Sequence, residues 1–454
     1  MGIVALAVLA AALTVAGCGG SSPRPATDAA NTGAGGEPAG APDAAGDVQL
    51  DTVPDAHADT GPGLDAGAAD AVVDAGATTD ADAATVSDAA NLGDAADAGA
   101  ATDSAAADAD DAGSDAGRPE ILVVATYLGG ISSLRIDPAS GGLTPVTSSL
   151  DSGGQLYGVA AHPSGDFVYA ADFRGRVYGY RVNRADGSLA ALANLPLMIG
   201  GQAITPAIDP QGRFLYVTNS GDDSLYAYHI DAGSGALTPV MDSPFMLGAT
   251  PTGVCFHPGG AFAYVSSSAS AATTQGGIRV FSVEATSGVP SEITGSPFAT
   301  TIFGGALAVH PNGNFLFDSS FGVHVLAIDP ITRGVHELTD SPRTGAQSDN
   351  QAVDIAVDPL AQYLYASSNL GTVTAYRLDA TTAAFGGVDG SPYSLQGMPY
   401  SVAIDPTGRF AYVGNDDADQ VWAFSIERST GKLQMIGAPV TVHGLQPEMV
   451  VIGP

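Results

Sequence analysis

A turn of the form Asp/His-Pro-x-x recurs at Pro163, Pro210, Pro258, Pro311, Pro359 and Pro406, and Pro454 falls in step at the end of the chain. The intervals are 47, 48, 53, 48, 47 and 48 residues, with the extra residues of the long unit in Ser266 to Gly277. A fixed period of this length means one small unit stacked against copies of itself. Each unit reads as four short strands. One runs Ile204 to Ile208, Phe214 to Val217, Leu225 to Ile230 and Leu237 to Val240, with turns at Asp209 to Gly212, Asn219 to Asp223 and Gly235. Second strands are almost continuously apolar, as in a sheet covered on both faces. Third strands such as Thr372 to Leu378 are expected to alternate toward the outside. Pro145 and Pro239 in fourth strands suit an outer edge that must not recruit another sheet.

Seven second strands begin near Ile121, Phe167, Phe214, Phe262, Phe315, Tyr363 and Phe410. The first of them has no first strand ahead of it, and Glu448 to Ile452 is a first strand with nothing after it. Pairing the two completes a seventh sheet and leaves no exposed edge. The expectation is an all-β, seven-bladed propeller over residues 119–454, with four-stranded blades, closed by the C-terminal strand.

What precedes the repeats is a different material. Ile3 to Val15 is an apolar run of signal-peptide length, too short for a membrane span. Val15-Ala16-Gly17-Cys18 resembles the lipobox of bacterial lipoproteins, which implies cleavage after residue 17 and lipidation of Cys18. By the same resemblance Gly19 after the cysteine favours the outer membrane, so a lipid-anchored protein of the cell envelope is expected. Residues 19–117 carry 20 acids against Arg24 alone, net −19, and are mostly Ala, Asp, Gly, Thr and Ser. Such a segment cannot bury enough apolar surface to offset its ordering entropy. Residues 18–118 are therefore expected to be a disordered tether of roughly 55 Å r.m.s. span. The whole chain is −33, which excludes nucleic acid as a partner. Two cysteines make neither a disulfide framework nor a four-cysteine zinc site.

The wording of the repeats is also informative. Gly235 to Val240, Asp242-Ser243-Pro244-Phe245 and Phe214 to Asn219 resemble the YVTN-repeat and lactonase-family seven-bladed propellers, the group of bacterial 6-phosphogluconolactonases. The resemblance covers residues 121–454 and implies the propeller fold and, as one reading, opening of a sugar lactone. In those enzymes a Pro-His dipeptide opens inner strands at the channel mouth. Here the dipeptides are Leu156-Tyr157, Pro251-Thr252, Pro399-Tyr400 and Pro447-Glu448, with no histidine among them.

A repeat separates scaffold from site, because scaffold residues recur in several blades. His162, His257 and His310 alternate with Asp209, Asp358 and Asp405 at one turn and are assigned to structure, as are Tyr216, Tyr228, Tyr365, Tyr376 and Trp422. Cys255 reads as a small buried apolar group. Residues without repeat equivalents are the site candidates. Arg174 and Arg176 could hold an anion, His443 and Glu448 could act as base and acid, and Tyr157 and Tyr400 could line a sugar-sized pocket. The acidic loops Asp222-Asp223 and Asp416-Asp417-x-Asp419 could take calcium, although turns favour Asp in any case. No cofactor or resident metal is expected, and a monomer is. Three functions stay open: a propeller binding a protein or carbohydrate partner on one face, a lactone hydrolase, and a structural surface lipoprotein.

Overall fold

The computed structural model describes residues 118–150, 152–268, 276–300, 304–320, 322–339, 341, 352–379, 381–382 and 384–453. Cys18, the signal peptide, the tether and most of the long loop of the fourth unit lie outside them. Seven antiparallel sheets follow one another, each with its first strand innermost. Numbered by their inner strands, blade 1 runs Leu156–Ala161, Phe167–Asp172, Arg176–Val182 and Leu189–Ala191. Blades 2 to 6 have inner strands Ala203–Ile208, Thr250–Phe256, Leu307–Val309, Ala352–Val357 and Pro399–Ile404. Blade 7 is built from both ends of the folded chain. Its inner strand Glu448–Ile452 pairs with Glu120–Thr126, in a register running from Ile121 opposite Ile452 to Ala125 opposite Glu448. Gly130–Ile136 and Leu143–Leu150 complete it, so the ring closes as the repeat requires.

There is no single core. Seven clusters each lie between two adjacent blades. The one between blades 7 and 1 joins Ile121, Val123 and Ile452 to Val168, Tyr178 and Tyr180. That between blades 2 and 3 joins Tyr216 and Leu225 to Val254 and Val265. The second strands are buried along their whole length, as their composition dictates. Third strands differ from expectation. Thr372–Leu378 is buried at five of its seven positions and Arg377 alone is exposed. The reason is that a neighbouring blade covers each face, Val373 and Ala375 packing in one inter-blade cluster and Tyr376 and Leu378 in the next. The outer edge carries a further two-residue segment in five of the blades, such as Phe245–Met246 against Ser224–Leu225 and Tyr393–Ser394 against Thr372–Val373. The outer edge of these blades is thus split in two around an X-Pro turn. In three of them the residue before the proline is a serine whose hydroxyl stands in for a strand partner. Ser243 Oγ accepts from Ala227 N at 3.0 Å, and Ser391 Oγ from Ala375 N at 2.8 Å.

Blades are pinned to one another by two recurring contacts. Tyrosines of the second strands donate to the carbonyl of the turn glycine in the next blade: Tyr169 to Gly235 at 2.7 Å, Tyr216 to Gly288 at 2.8 Å, Tyr365 to Gly431 at 3.0 Å and Tyr412 to Gly141 at 3.2 Å. Where blade 7 has Val123 instead, Ser133 of its third strand reaches the Gly187 carbonyl at 2.7 Å. Two residues after the tyrosine position, which is Phe317 in blade 4, a hydroxyl donates to the next inner strand: Thr218 to the Thr252 carbonyl, Ser266 to Gly305, Ser319 to Val353 and Ser367 to Tyr400, at 2.9, 3.1, 2.9 and 3.0 Å. The recurring turn residues serve the scaffold too. His162 Nε2 meets the Gly212 carbonyl at 2.8 Å, and Asp358 pairs with Arg428 of the next blade at 2.9 Å.

Gly288 tests this interlock. Its φ is +68°, and a Cβ there would stand 2.4 Å from the Phe214 ring of the preceding blade. Gly288→Ala is expected to cost about 2–4 kcal/mol, from left-handed backbone strain plus overpacking. Gly387→Ala, at a position with open space around it, should change the denaturant midpoint far less.

Candidate active site

The inner strands converge on a central cavity of about 370 Å³, lined by residues from all seven blades. That lies in the size range of small-molecule pockets. Counted back from each turn proline, the lining side chains occupy the sixth, fifth and fourth positions, at the start of the inner strand. Ser220, on a second-to-third-strand turn, also lines it, so the cavity opens on that face of the ring.

Its two halves differ chemically. Blades 2 to 4 contribute Ile204, Pro206, Val254, Gly305 and Leu307, along with Thr205 and Thr252. Gln202, Ser220 and Thr250 add uncharged polar side chains to this half, which among the described residues carries no ionisable group. The Thr205 and Thr252 hydroxyls are engaged elsewhere, Thr205 donating to the Thr252 carbonyl at 2.7 Å and Thr252 bonding Ser266 Oγ at 3.0 Å. Blades 1, 5, 6 and 7 contribute Tyr157, Asp354, Tyr400 and Glu448. Burial and the nearby Asp354 charge push the Glu448 carboxyl well above its ordinary range. Burial likewise raises Asp354 to about 6, against the opposing pull of two backbone donors, Ile355 N at 2.8 Å and Val402 N at 2.9 Å. Two buried carboxyls, one of which feels the other's charge, do not both ionise readily, so the pair retains a proton toward neutral pH. The same surroundings raise the tyrosines, Tyr157 to about 12, and Tyr400 also feels Tyr157 and Glu448. The Tyr157 hydroxyl is buried and, though it faces Tyr400, makes no hydrogen bond of proper geometry within the protein.

Three of the candidates read from sequence, Tyr157, Tyr400 and Glu448, therefore meet in one place. The other three do not line the cavity. Arg176 is tied to buried Asp172 at 2.6 Å, with a further bond to the Gly153 carbonyl at 3.1 Å. Arg174 is exposed on the same turn, and His443 is exposed on the link into blade 7, where its carbonyl accepts from Thr126 Oγ1 at 2.7 Å. Asp354 was not among the candidates. The signal for it lies in the repeat: at its position the other blades carry Gly158, Thr205, Gly253, Ala306, Ser401 and Met449. The acidic loops are engaged internally. Asp222 accepts from Tyr226 Oη at 2.9 Å and Asp416 from Gln446 N at 2.8 Å, and among the described residues no group of three or more His, Cys, Asp or Glu could hold a metal. Cys255 is a free thiol in an inner strand, its pKa pushed up by burial.

With this geometry in hand, known proteins supply the context. The sequence matches the family described as "Lactonase, 7-bladed beta-propeller" over residues 121–333 and 322–451. The chain belongs to that family. No curated protein matches the sequence. Among solved structures, the chain is similar to proteins of Bacteroides uniformis and Bacteroides fragilis named as 6-phosphogluconolactonases. Each superposes with a TM-score of 0.61 at 20% identity, covering 73% and 75% of this chain and 98% and 99% of theirs. The periplasmic gluconolactonase of Pseudomonas aeruginosa gives 0.57 at 18% identity, covering 74% of this chain and all of its own. At these identities the likeness carries the fold alone.

The displaced carboxyl has a consequence for stability. From about pH 4.3, where an ordinary Glu titrates, up to the raised value, the folded protein holds a proton that the unfolded chain has released. Stability then falls as pH rises through that window. Glu448→Gln is expected to unfold at a higher temperature than the parent at pH 8, with the gap shrinking toward pH 4. Thermal unfolding at both pH values checks this.

Proposed function

We propose that this lactonase-family propeller hydrolyses a lactone in its central cavity. The observation that carries the reading is the pair of carboxyls, Asp354 and Glu448, with raised pKa values beside two tyrosine hydroxyls. A carboxylate whose pKa approaches the working pH is a better general base than an ordinary one. The ionised member of the pair takes a proton from water as the water oxygen bonds to the lactone carbonyl carbon. Developing charge on the carbonyl oxygen is met by the hydroxyl of Tyr157 or of Tyr400. The ring C–O bond then breaks, and the leaving alkoxide takes a proton from the protonated member of the pair. The product is the open hydroxy acid, and the sum is lactone plus water. The half of the cavity without ionisable groups, with Ile204, Val254 and Leu307, receives the body of the substrate and leaves its carbonyl toward the carboxyls.

Simple binding of a partner would not call for two carboxyls held away from their ordinary ionisation, which is why hydrolysis is preferred over the binding and structural readings. The names of the Bacteroides and Pseudomonas neighbours point the same way. Glu448→Gln and Asp354→Asn are each expected to lower kcat by about 10²–10⁴-fold, measured by proton release from a panel of lactones. The parent rate should rise as pH climbs through about 6. Full activity in either variant would remove the pair from the mechanism.

We also propose export and lipidation at Cys18, which would anchor the propeller at the cell envelope through its acidic tether. The support is the Val15-Ala16-Gly17-Cys18 motif behind an apolar run. Several acyl chains on one cysteine give a firm anchor, at about 0.8 kcal/mol per buried methylene. Cys18→Ala should move the protein from the detergent phase to the aqueous phase in a detergent partition.

A further inference from the structure

Among the described residues, no Arg, Lys or His lines the cavity, which carries Asp354 and Glu448 as its only ionisable groups apart from tyrosines. The face on which it opens has the same sign. Its second-to-third-strand turns carry Asp222, Asp223, Asp416, Asp417 and Asp419 against Arg174, since Arg176 is already spent on Asp172. The segments 269–275 and 301–303 contain no charged residue, and in 342–351 Arg343 is balanced by Asp349. Five other bases, Arg135, Arg181, Arg213, Arg377 and Arg409, stand at the opposite end, where they bond to main-chain carbonyls of the next blade. Examples are Arg181 to Gly233 at 2.8 Å and Arg377 to Ser429 at 2.9 Å.

A phosphorylated lactone entering this cavity brings a dianion to a site that, among the described residues, holds no cation to receive it. Two like unit charges about 6 Å apart, at an effective dielectric of about 20, repel by enough to change an equilibrium roughly 100-fold. Burying a charge without a partner adds to that cost. An uncharged lactone meets neither penalty. Its hydrolysis product is an anion, which the same acidic walls repel outward.

We propose that the substrate is an uncharged lactone and that the phosphorylated form of the same ring is turned away. The proposal rests on the lactonase reading above. It separates this chain from the phosphorylated substrate in the names of its Bacteroides neighbours.

The experiment compares glucono-δ-lactone with its 6-phosphate on the full chain, by initial rates of proton release at low ionic strength and again in 0.5 M salt (about 3–4 Å of screening length). The expected result is a kcat/KM at least about 100-fold lower for the phosphorylated lactone at low salt, with the gap narrowing as salt rises. Equal or faster turnover of the phosphorylated lactone overturns the proposal and leaves the hydrolase reading standing. A gap of the expected size that salt does not change also overturns it, because the discrimination is then one of shape. Turnover of neither lactone above the spontaneous rate overturns the hydrolase reading and this proposal with it.

Discussion

The pairing of Ile121–Ala125 with Glu448–Ile452 is the contact on which the rest depends. Each inter-blade core needs a blade on both sides, so a ring of seven clusters exists only if the last sheet is completed. An open ring would leave the second strand of blade 7, with Leu122 and Val124, lacking its inner neighbour. The same ladder sets the site. Opposite Ala125, Glu448 stands at the first position of its strand, six residues before Pro454, where the other blades place Tyr157 and Tyr400. A register slip of one residue would turn Glu448 to the other face of the strand. Closure and chemistry are thus one constraint.

Most of the architecture was legible because the scaffold repeats its own solutions. A hydroxyl at Thr218, Ser266, Ser319 and Ser367 and a tyrosine at 169, 216, 365 and 412 announce contacts that each blade makes with the next. The two-residue outer segments were not legible. They are too short for a periodic signal, and where a serine before proline supports the break it acts through one side-chain bond rather than through a pattern. The third strands bury more than alternation suggests because a neighbouring blade covers each of their faces.

The site was half legible for the opposite reason. Glu448, Tyr157 and Tyr400 could be singled out because they replace a dipeptide that the resemblance makes memorable. Asp354 stands one residue further along its strand, in Val353-Asp354-Ile355, where only comparison of all seven blades at one register makes it conspicuous. Arg174, Arg176 and His443 were noticed as unusual residues, but rarity in sequence does not say which way a side chain points. Asp172 captures Arg176 because a buried carboxylate at the end of a second strand needs a partner more than the cavity does.

The energetics decide between scaffold and function for the carboxyl pair. Six other blades build the same stretch of inner strand with glycine, threonine, alanine, serine or methionine in the place of Asp354, so the propeller does not require an acid there. Placing one there, with Glu448 beside it, raises both pKa values and so lowers stability at neutral pH. A group that costs stability where simpler residues would serve, in the concavity on which every blade converges, is the physical mark of a site. The backbone donors Ile355 N and Val402 N fix the Asp354 carboxylate and link blade 5 to blade 6. The scaffold therefore holds this group in place rather than merely tolerating it. Among the described residues no backbone donor clamps Glu448 in this way, which leaves it the freer of the two to exchange a proton with whatever occupies the cavity.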